Sequence, residues 1–461
     1  MIYRILGMFL VILLCVATIP CYAAENGFVG PDNAGKGSLS VLAAYLSEAA
    51  RNNQELAAAL STWHAAQQKV PQAGALPDPR LSAGVFARSI ETRTGPQRAR
   101  IGLSQTLPWF GKRDLKARMA ARKADAMKAA ADSIRLAVFQ QVKDAYYEYA
   151  HAVQTERIIG ENLELLRFLE NVAGARYAAG KATYADILRI QVEAERLEDR
   201  RKTFADMRKP LAASLNAAMN RRVDDTLPSP PEVPVMIMDI TDAKLFDGVR
   251  KNNPRLKAYD FALEEASAGI KLARKDYYPD TTFGVDYIIT DPADNPAVDG
   301  SGEDPVMVSV SMNLPIWSGK RSAAVEENRD KLYSIRHGRE DLEKKLLAET
   351  RRTLFQYQDA ERKIVLYKDN LIPQAHQALS VTLEAFQSGG VTLSDLIGAE
   401  KALISLDLDY LTALARQAQQ LARLETLYGG EIECKIHGSL LKESGVEDLK
   451  KCLQGSGTNK N

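Results

Sequence analysis

Two hydrophobic periods alternate along this chain. From Lys112 to about Tyr177 no proline intervenes, and Leu136, Phe139, Val142, Tyr146, Tyr149, Val153, Leu163, Leu166 and Leu169 recur at close to helical spacing. A helix of that length reaches ~100 Å at about 1.5 Å per residue, deeper than any globular core. A return helix is predicted from Tyr184 to about Asn220, and a second long and short pair from Lys320 to Gln387 and from Leu393 to Leu427. Alanine-rich, charged helices of this period predict antiparallel coiled-coil pairs whose apolar stripes are packing seams. The other period is two. Leu81, Ala83, Val85 and Ala87 alternate with Arg80, Ser82, Gly84 and Phe86, and Ala99, Ile101 and Leu103 with Arg100, Gly102 and Ser104. Phe283, Val285, Tyr287 and Ile289 then oppose Gly284, Asp286 and Ile288, and Val306, Val308, Val310 and Met312 oppose Met307, Ser309, Ser311 and Asn313. These predict four strands of roughly eight to ten residues.

The elements come in two copies. "ARNNQELAAA" from Ala50 is echoed by "VRKNNPRLKA" from Val249, "LPDPRLSAGV" from Leu76 by "YYPDTTFGVD" from Tyr277, and "LSQTLPWFGKR" from Leu103 by "VSMNLPIWSGKR" from Val310. "RYAAGKATYADIL" from Arg176 is echoed by "AFQSGGVTLSDLI" from Ala385, so four landmarks recur in one order and the chain is internally duplicated. Each copy opens on an amphipathic helix, expected as a single element over Ser38 to Val70 and again over Thr241 to Asp276. The copies span 24–223 and 241–430, joined by a proline-rich connector, 224–240, that suits an extended crossing segment.

Four alternating strands cannot close a barrel, and an open sheet edge is not tolerated in lipid. If the strands cross a bilayer, several chains must pool them: two chains supply about eight and three about twelve, and long rods around the same axis favour a wide lumen. A soluble four-stranded sheet capped by helices is the alternative. The N-terminal "ILGMFLVILLCVATIP" after Arg4, followed by "CYA", predicts a signal peptide over 1–23 cleaved before Ala24, in preference to a membrane anchor. Pro20 before Cys21 argues against a lipid-attachment box.

Composition removes several classes. Lys and Arg number 60 against 59 Asp and Glu, with no basic stripe, so a nucleic-acid partner is not expected. Export leaves Cys434 and Cys452, which either form one disulfide pinning the C-terminal tail, 431–461, or stay free. "SGKRS" at Ser318 fails as a phosphate loop because Leu314 stands where the first glycine belongs. The histidines His64, His151, His337, His376 and His437 are scattered without ligand spacing, and Met236 and Met238 are expected in a short apolar strand packed on helices instead of a soft-metal site. No metal site, cofactor or enzymatic activity is expected.

The duplicated layout, "LPDPRL", the "LPWFGKR" and "LPIWSGKR" boundaries and the Gly-x-x-Thr-x-x-Asp turns resemble the TolC-like outer-membrane efflux proteins over about Ser38 to Gly430, and "LPW" followed by Gly-Lys resembles the heavy-metal branch of that family. The resemblance implies a mainly α fold with a small membrane β part: a homotrimer whose α-helical barrel of long antiparallel coiled-coil helices is continuous with a 12-stranded β-barrel, four strands per chain. It implies an outer-membrane exit duct with a long periplasmic portion in a Gram-negative-type cell, docking a periplasmic adaptor and a proton-driven inner-membrane pump, for metal cations, drugs or a secreted polypeptide. A non-conducting periplasmic coiled-coil bridge is the rival outside that class.

Two groups of residues carry these expectations. At the strand-to-helix boundaries, Pro108 and Pro315 end the ladders, Gly111 and Gly319 turn the chain, and Lys112, Arg113, Lys320 and Arg321 stay in water near head groups. Trp109 and Trp317 lie either at the lipid interface or buried in a swivel between layers. At the far ends, Gly180, Gly389 and Gly390 turn the chain, Thr183 and Thr392 cap the return helices, and Asp186 and Asp395 sit in their first turns. These tips are either plain capped hairpins or, by resemblance, the adaptor-docking surface, with three Asp395 carboxylates near the pore axis. Gly398 and Val391 stand where some relatives have a second acid and a basic latch, which leaves Leu393, Leu396 and Ile397 as an expected apolar constriction.

Overall fold

A computed structural model describes residues 37–295 and 297–436. The signal peptide, Cys452 and most of the C-terminal tail lie outside the described residues. Each copy opens on two helices where one was expected: α1 (Gly37–Asn52) and α2 (Gln54–Gly74) in the first. Asn53 is the reason, because its extended backbone breaks the helix while its side chain accepts from the Leu56 N–H to cap α2. In the second copy Asn253 divides α5 (Asp242–Asn252) from α6 (Pro254–Lys275) in the same way, with Pro254 in the first turn where a missing N–H costs nothing. Asn253 Nδ2 also donates to the Leu427 carbonyl at 2.8 Å, tying the break to the end of the last helix.

Between α2 and the first rod run β1 (Arg80–Ile90) and β2 (Gln97–Leu107), and after α6 run β4 (Thr281–Thr290) and β5 (Val306–Met312). They form one antiparallel sheet in the order β1-β2-β4-β5. Register aligns the alternation across all four strands: Leu81, Leu103, Val285 and Val308 form one row, and Ala83, Ile101, Tyr287 and Val306 the next. The opposite face carries rows such as Ser104, Gly284 and Ser309, and Thr106, Thr282 and Ser311. Among the described residues nothing covers the apolar face.

The first rod is α3 (Lys112–Ala178), 67 residues of unbroken helix, and it returns as α4 (Tyr184–Ala218). The second is not continuous. It runs as α7 (Ser318–Val365), a six-residue π-helical stretch (Leu366–Leu371) and α8 (Ile372–Ser388), and returns as α9 (Leu393–Tyr428). Pro373, in the first turn of α8, has no N–H for the preceding turn and crowds its carbonyl, and the wider stretch absorbs the mismatch. No helix among the described residues is long and apolar enough to cross a membrane, which bears only on helices.

The two largest apolar cores among the described residues hold the rods. One gathers Tyr146, Leu215, Leu245, Tyr357 and Leu424 around Met236, whose strand β3 (Met236–Met238) pairs with β6 (Cys434–Ile436). Tyr357 locks β3 in place, its hydroxyl donating to the Met236 carbonyl at 2.6 Å and accepting from the Met238 N–H at 3.0 Å. The other core fills the far ends of the hairpins, where Ile159, Leu163, Leu166 and Ile190 meet Phe386 and Leu396.

Candidate functional site

The far turns are built alike. Gly180 and Gly389 adopt left-handed backbone at φ 70° and 86°, where a side chain would strain the chain. The next N–H groups, of Lys181 and Gly390, reach back to Arg176 and Ala385 carbonyls at 2.8 Å, completing Schellman-type ends. Thr183 and Thr392 cap α4 and α9 in reciprocal boxes: the Thr183 N–H and hydroxyl donate to Asp186 Oδ2 at 3.0 and 2.8 Å, and those of Thr392 to Asp395 Oδ2 at 2.9 and 2.6 Å. These bonds hold both carboxyls below the usual carboxylate range, chiefly through the Thr183 backbone for Asp186 and the Thr392 hydroxyl for Asp395. Both acids are therefore charged at neutral pH, and Asp395 is exposed.

The apolar constriction expected from Leu393, Leu396 and Ile397 is corrected. All three are buried in the chain's own tip core, because their spacing turns them toward the other helices of the tip. Two features escaped the sequence. Arg176 joins the two turns, its guanidinium lying 4.5 Å from the Phe386 ring centroid and donating to the Phe386 carbonyl. Glu400, two turns into α9, is fully buried with neither carboxylate oxygen hydrogen-bonded. Burial first, and then the charge of Glu193, push its carboxyl up to about 7.

At the first strand-to-helix boundary, Pro108 follows the last residue of β2 and Gly111 turns the chain at φ 77°. Lys112 does not stay in water. Its ammonium is buried, donating to Asp280 Oδ1 at 2.9 Å and the Tyr278 carbonyl at 3.0 Å, with Asp276 at 3.4 Å, because α3 starts against the end of α6. Trp109 is half-buried and stacks on Tyr278 at 5.1 Å, and its backbone N–H donates to Asp280 Oδ1 at 2.7 Å. The second boundary differs. Gly319 lies inside the first turn of α7 and turns nothing; two successive tight turns, Ile316 N–H to Leu314 and Ser318 N–H to Ile316, reverse the chain after Pro315. Within the single chain Trp317 stands 73% exposed and Lys320 is exposed. Arg113 and Arg321 bind the Gly74 and Asp276 carbonyls, each at 2.8 Å.

On the polar face of the sheet Arg100 grips Asp286 with two hydrogen bonds of 2.8 and 2.7 Å. Gly102 makes room for it, since a Cβ there would stand 2.1 Å from Asp286 Oδ1. The glycine amid alternating residues was the available signal. Of the cysteines, Cys434 pairs across from Met238 in the strand ladder, while its expected partner lies outside the described residues. No cluster of three or more His, Cys, Asp or Glu side chains that could hold a metal ion occurs among the described residues.

A family model described as outer membrane efflux protein matches residues 45–221 and 245–430, one segment in each copy. The chain belongs to that family. Its members are channels, not enzymes. The chain is 22% identical over 404 residues to the cobalt-zinc-cadmium resistance protein CzcC of Cupriavidus metallidurans, an alignment covering 84% of this chain and 90% of that one. It has the fold of the outer membrane protein VceC of Vibrio cholerae (TM-score 0.69, 18% identity, 86% of this chain and 97% of that one). It has equally the fold of the open-state MtrE outer membrane channel of Neisseria gonorrhoeae (TM-score 0.67, 18% identity, 90% and 98%). The family expected from the duplicated motifs is thus borne out.

Proposed function

We propose that the chain is the outer-membrane exit duct of a tripartite efflux system, a homotrimer passing heavy-metal cations outward. The observation that carries it is the sheet: four strands with one apolar face uncovered, Leu81 and Val308 at 73% and Val85 at 83% exposure, two free edges, and rods of ~100 Å leaving one end. Three copies supply twelve strands, enough to close a wide barrel with Leu81, Leu103, Val285 and Val308 against lipid and Arg100, Asp286 and the serines in water. The rods then hang into the periplasm, and their capped tips meet an adaptor joined to a proton-driven inner-membrane pump. The one phosphate-loop-like stretch, at Ser318, lacks the first glycine, so the driving energy comes from the pump. Metal cations as cargo rest on the likeness to a protein named for cobalt, zinc and cadmium resistance and on charged Asp395 at the tip.

Purified protein in planar bilayers is expected to give stable open-channel conductance. A coiled-coil bridge would give none, and that result overturns the reading. For the cargo, a deletion strain should lose resistance to divalent metals; loss of antibiotic resistance alone would make the cargo drugs.

A further inference from the structure

The contacts between the two halves of the chain show how one copy meets the next. The hairpins are equivalent residue for residue: Leu81 faces Leu103 as Phe283 faces Val310, and Arg80 faces Ser104 as Thr282 faces Ser311. That register makes Asp78 the counterpart of Asp280, each the aspartate of a Pro-Asp pair ahead of the strand. The Trp-x-Gly-Lys echo makes Lys320 the counterpart of Lys112, and the matched bonds of Arg113 to Gly74 and Arg321 to Asp276 repeat the same equivalence. Within the chain the two halves are joined by β2 against β4 and by Lys112 on Asp280. Their counterparts, β5 with Lys320 and β1 with Asp78, lie on opposite free edges. Lys320 and Asp78 are exposed, and among the described residues neither has an ion-pair or hydrogen-bond partner. The helices carry the same asymmetry: α6, seated on α3, buries Ala266, Ala268, Gly269 and Ala273, whereas its counterpart α2 buries only Leu56.

We infer that Lys320 of one copy binds Asp78 of the next as Lys112 binds Asp280 within the chain. This staple sets β5 against β1 of the next copy with Met312 opposite Leu81, Val310 opposite Ala83 and Val308 opposite Val85. That is the β2-on-β4 register, in which Gln105, Leu103 and Ile101 face Phe283, Val285 and Tyr287, carried across the edge. Opposite charges on the two edges fix both the partner, a second copy of this chain, and the offset, since a slip by one residue would turn the apolar row of the added strand into the lumen. The inference rests on the trimeric duct reading and adds to it the residues that close the ring.

Two sets of variants in the full-length protein test it, read as trimer on unheated detergent gels. Lys320→Asp and Asp78→Lys alone should each lower the trimer-to-monomer ratio by on the order of thirtyfold, as for a desolvated ion pair with one partner removed, and the double swap should restore it. Val85→Cys with Val308→Cys should give covalent trimers on oxidation, because directly opposed strand residues lie within disulfide reach, and Val85→Cys with Val310→Cys should not. Trimers that ignore the charge reversals, or that cross-link through Val310, overturn the register and leave the duct standing. A wild-type protein that is monomeric and non-conducting overturns both.

Discussion

Glu400 is the residue whose chemistry is least at home in its surroundings. It sits in the tip core with Glu193 near it, and Lys401, whose charge partly offsets the upward push, is held by Glu193 at 2.7 Å and gives Glu400 no hydrogen bond. The folded chain keeps this proton up to about pH 7, while an unfolded chain releases it near the ordinary value of 4.5. Between those values the folded state binds the extra proton, so stability falls as pH rises through the window and the loss is complete above it. A shift of that size is worth about 3 kcal/mol. Glu400→Gln removes the titration. At pH 8 amide exchange in α8 and α9 is expected to be slower in the variant than in wild type, and at pH 4 the two should match. Equal exchange at both pH values would show that Glu400 is already paired or hydrated.

At the scale of elements, the sheet depends on glycine at one place and not at another. A Cβ at Gly102 would collide with the Asp286 carboxylate and Ser82 Oγ, whereas one at Gly84 meets nothing within 4 Å. Gly102→Ala is therefore expected to break the Arg100–Asp286 pair and cost about 1–3 kcal/mol, seen as a lower temperature for loss of the unheated-gel barrel form, while Gly84→Ala leaves it unchanged. What the sequence made legible follows the same division. Period two placed the four strands, and proline, glycine and threonine placed the tip turns and caps, because those signals are local. The breaks at Asn53 and Asn253 escaped, since apolar spacing runs on through a single capping residue. The π-helical stretch before Pro373 escaped too, as the proline sits within an otherwise helical pattern. Burial of Lys112 could not be read at all: its partners lie some hundred and sixty positions along the chain, and only the fold brings α3 against the end of α6. For Leu393, Leu396 and Ile397, periodicity finds an apolar face without saying what covers it.

For the whole molecule, the outcome of threefold assembly turns on which side of the tip Asp395 occupies. Its carboxyl is ionised well into the acid range and exposed, while the apolar residues on either side of it point inward to the hairpin core. Three such charges facing one narrow lumen raise the local concentration of cations and exclude anions, and the effect weakens as salt shortens the screening length from about 10 Å at 0.1 M to about 3 Å at 1 M. Because the same carboxylate accepts the Thr392 N–H and hydroxyl, Asp395→Ala would confound selectivity with loss of the cap. Asp395→Asn separates the two, since an amide oxygen still accepts those bonds and carries no charge. In single-channel recordings the Asn variant is expected to lose most of the cation preference at 0.1 M salt and to differ little from wild type at 1 M, with the conductance of fully open channels retained. A cation preference that survives the substitution at low salt would place Asp395 on the outer wall of the tip, where the same charge could only meet a partner protein.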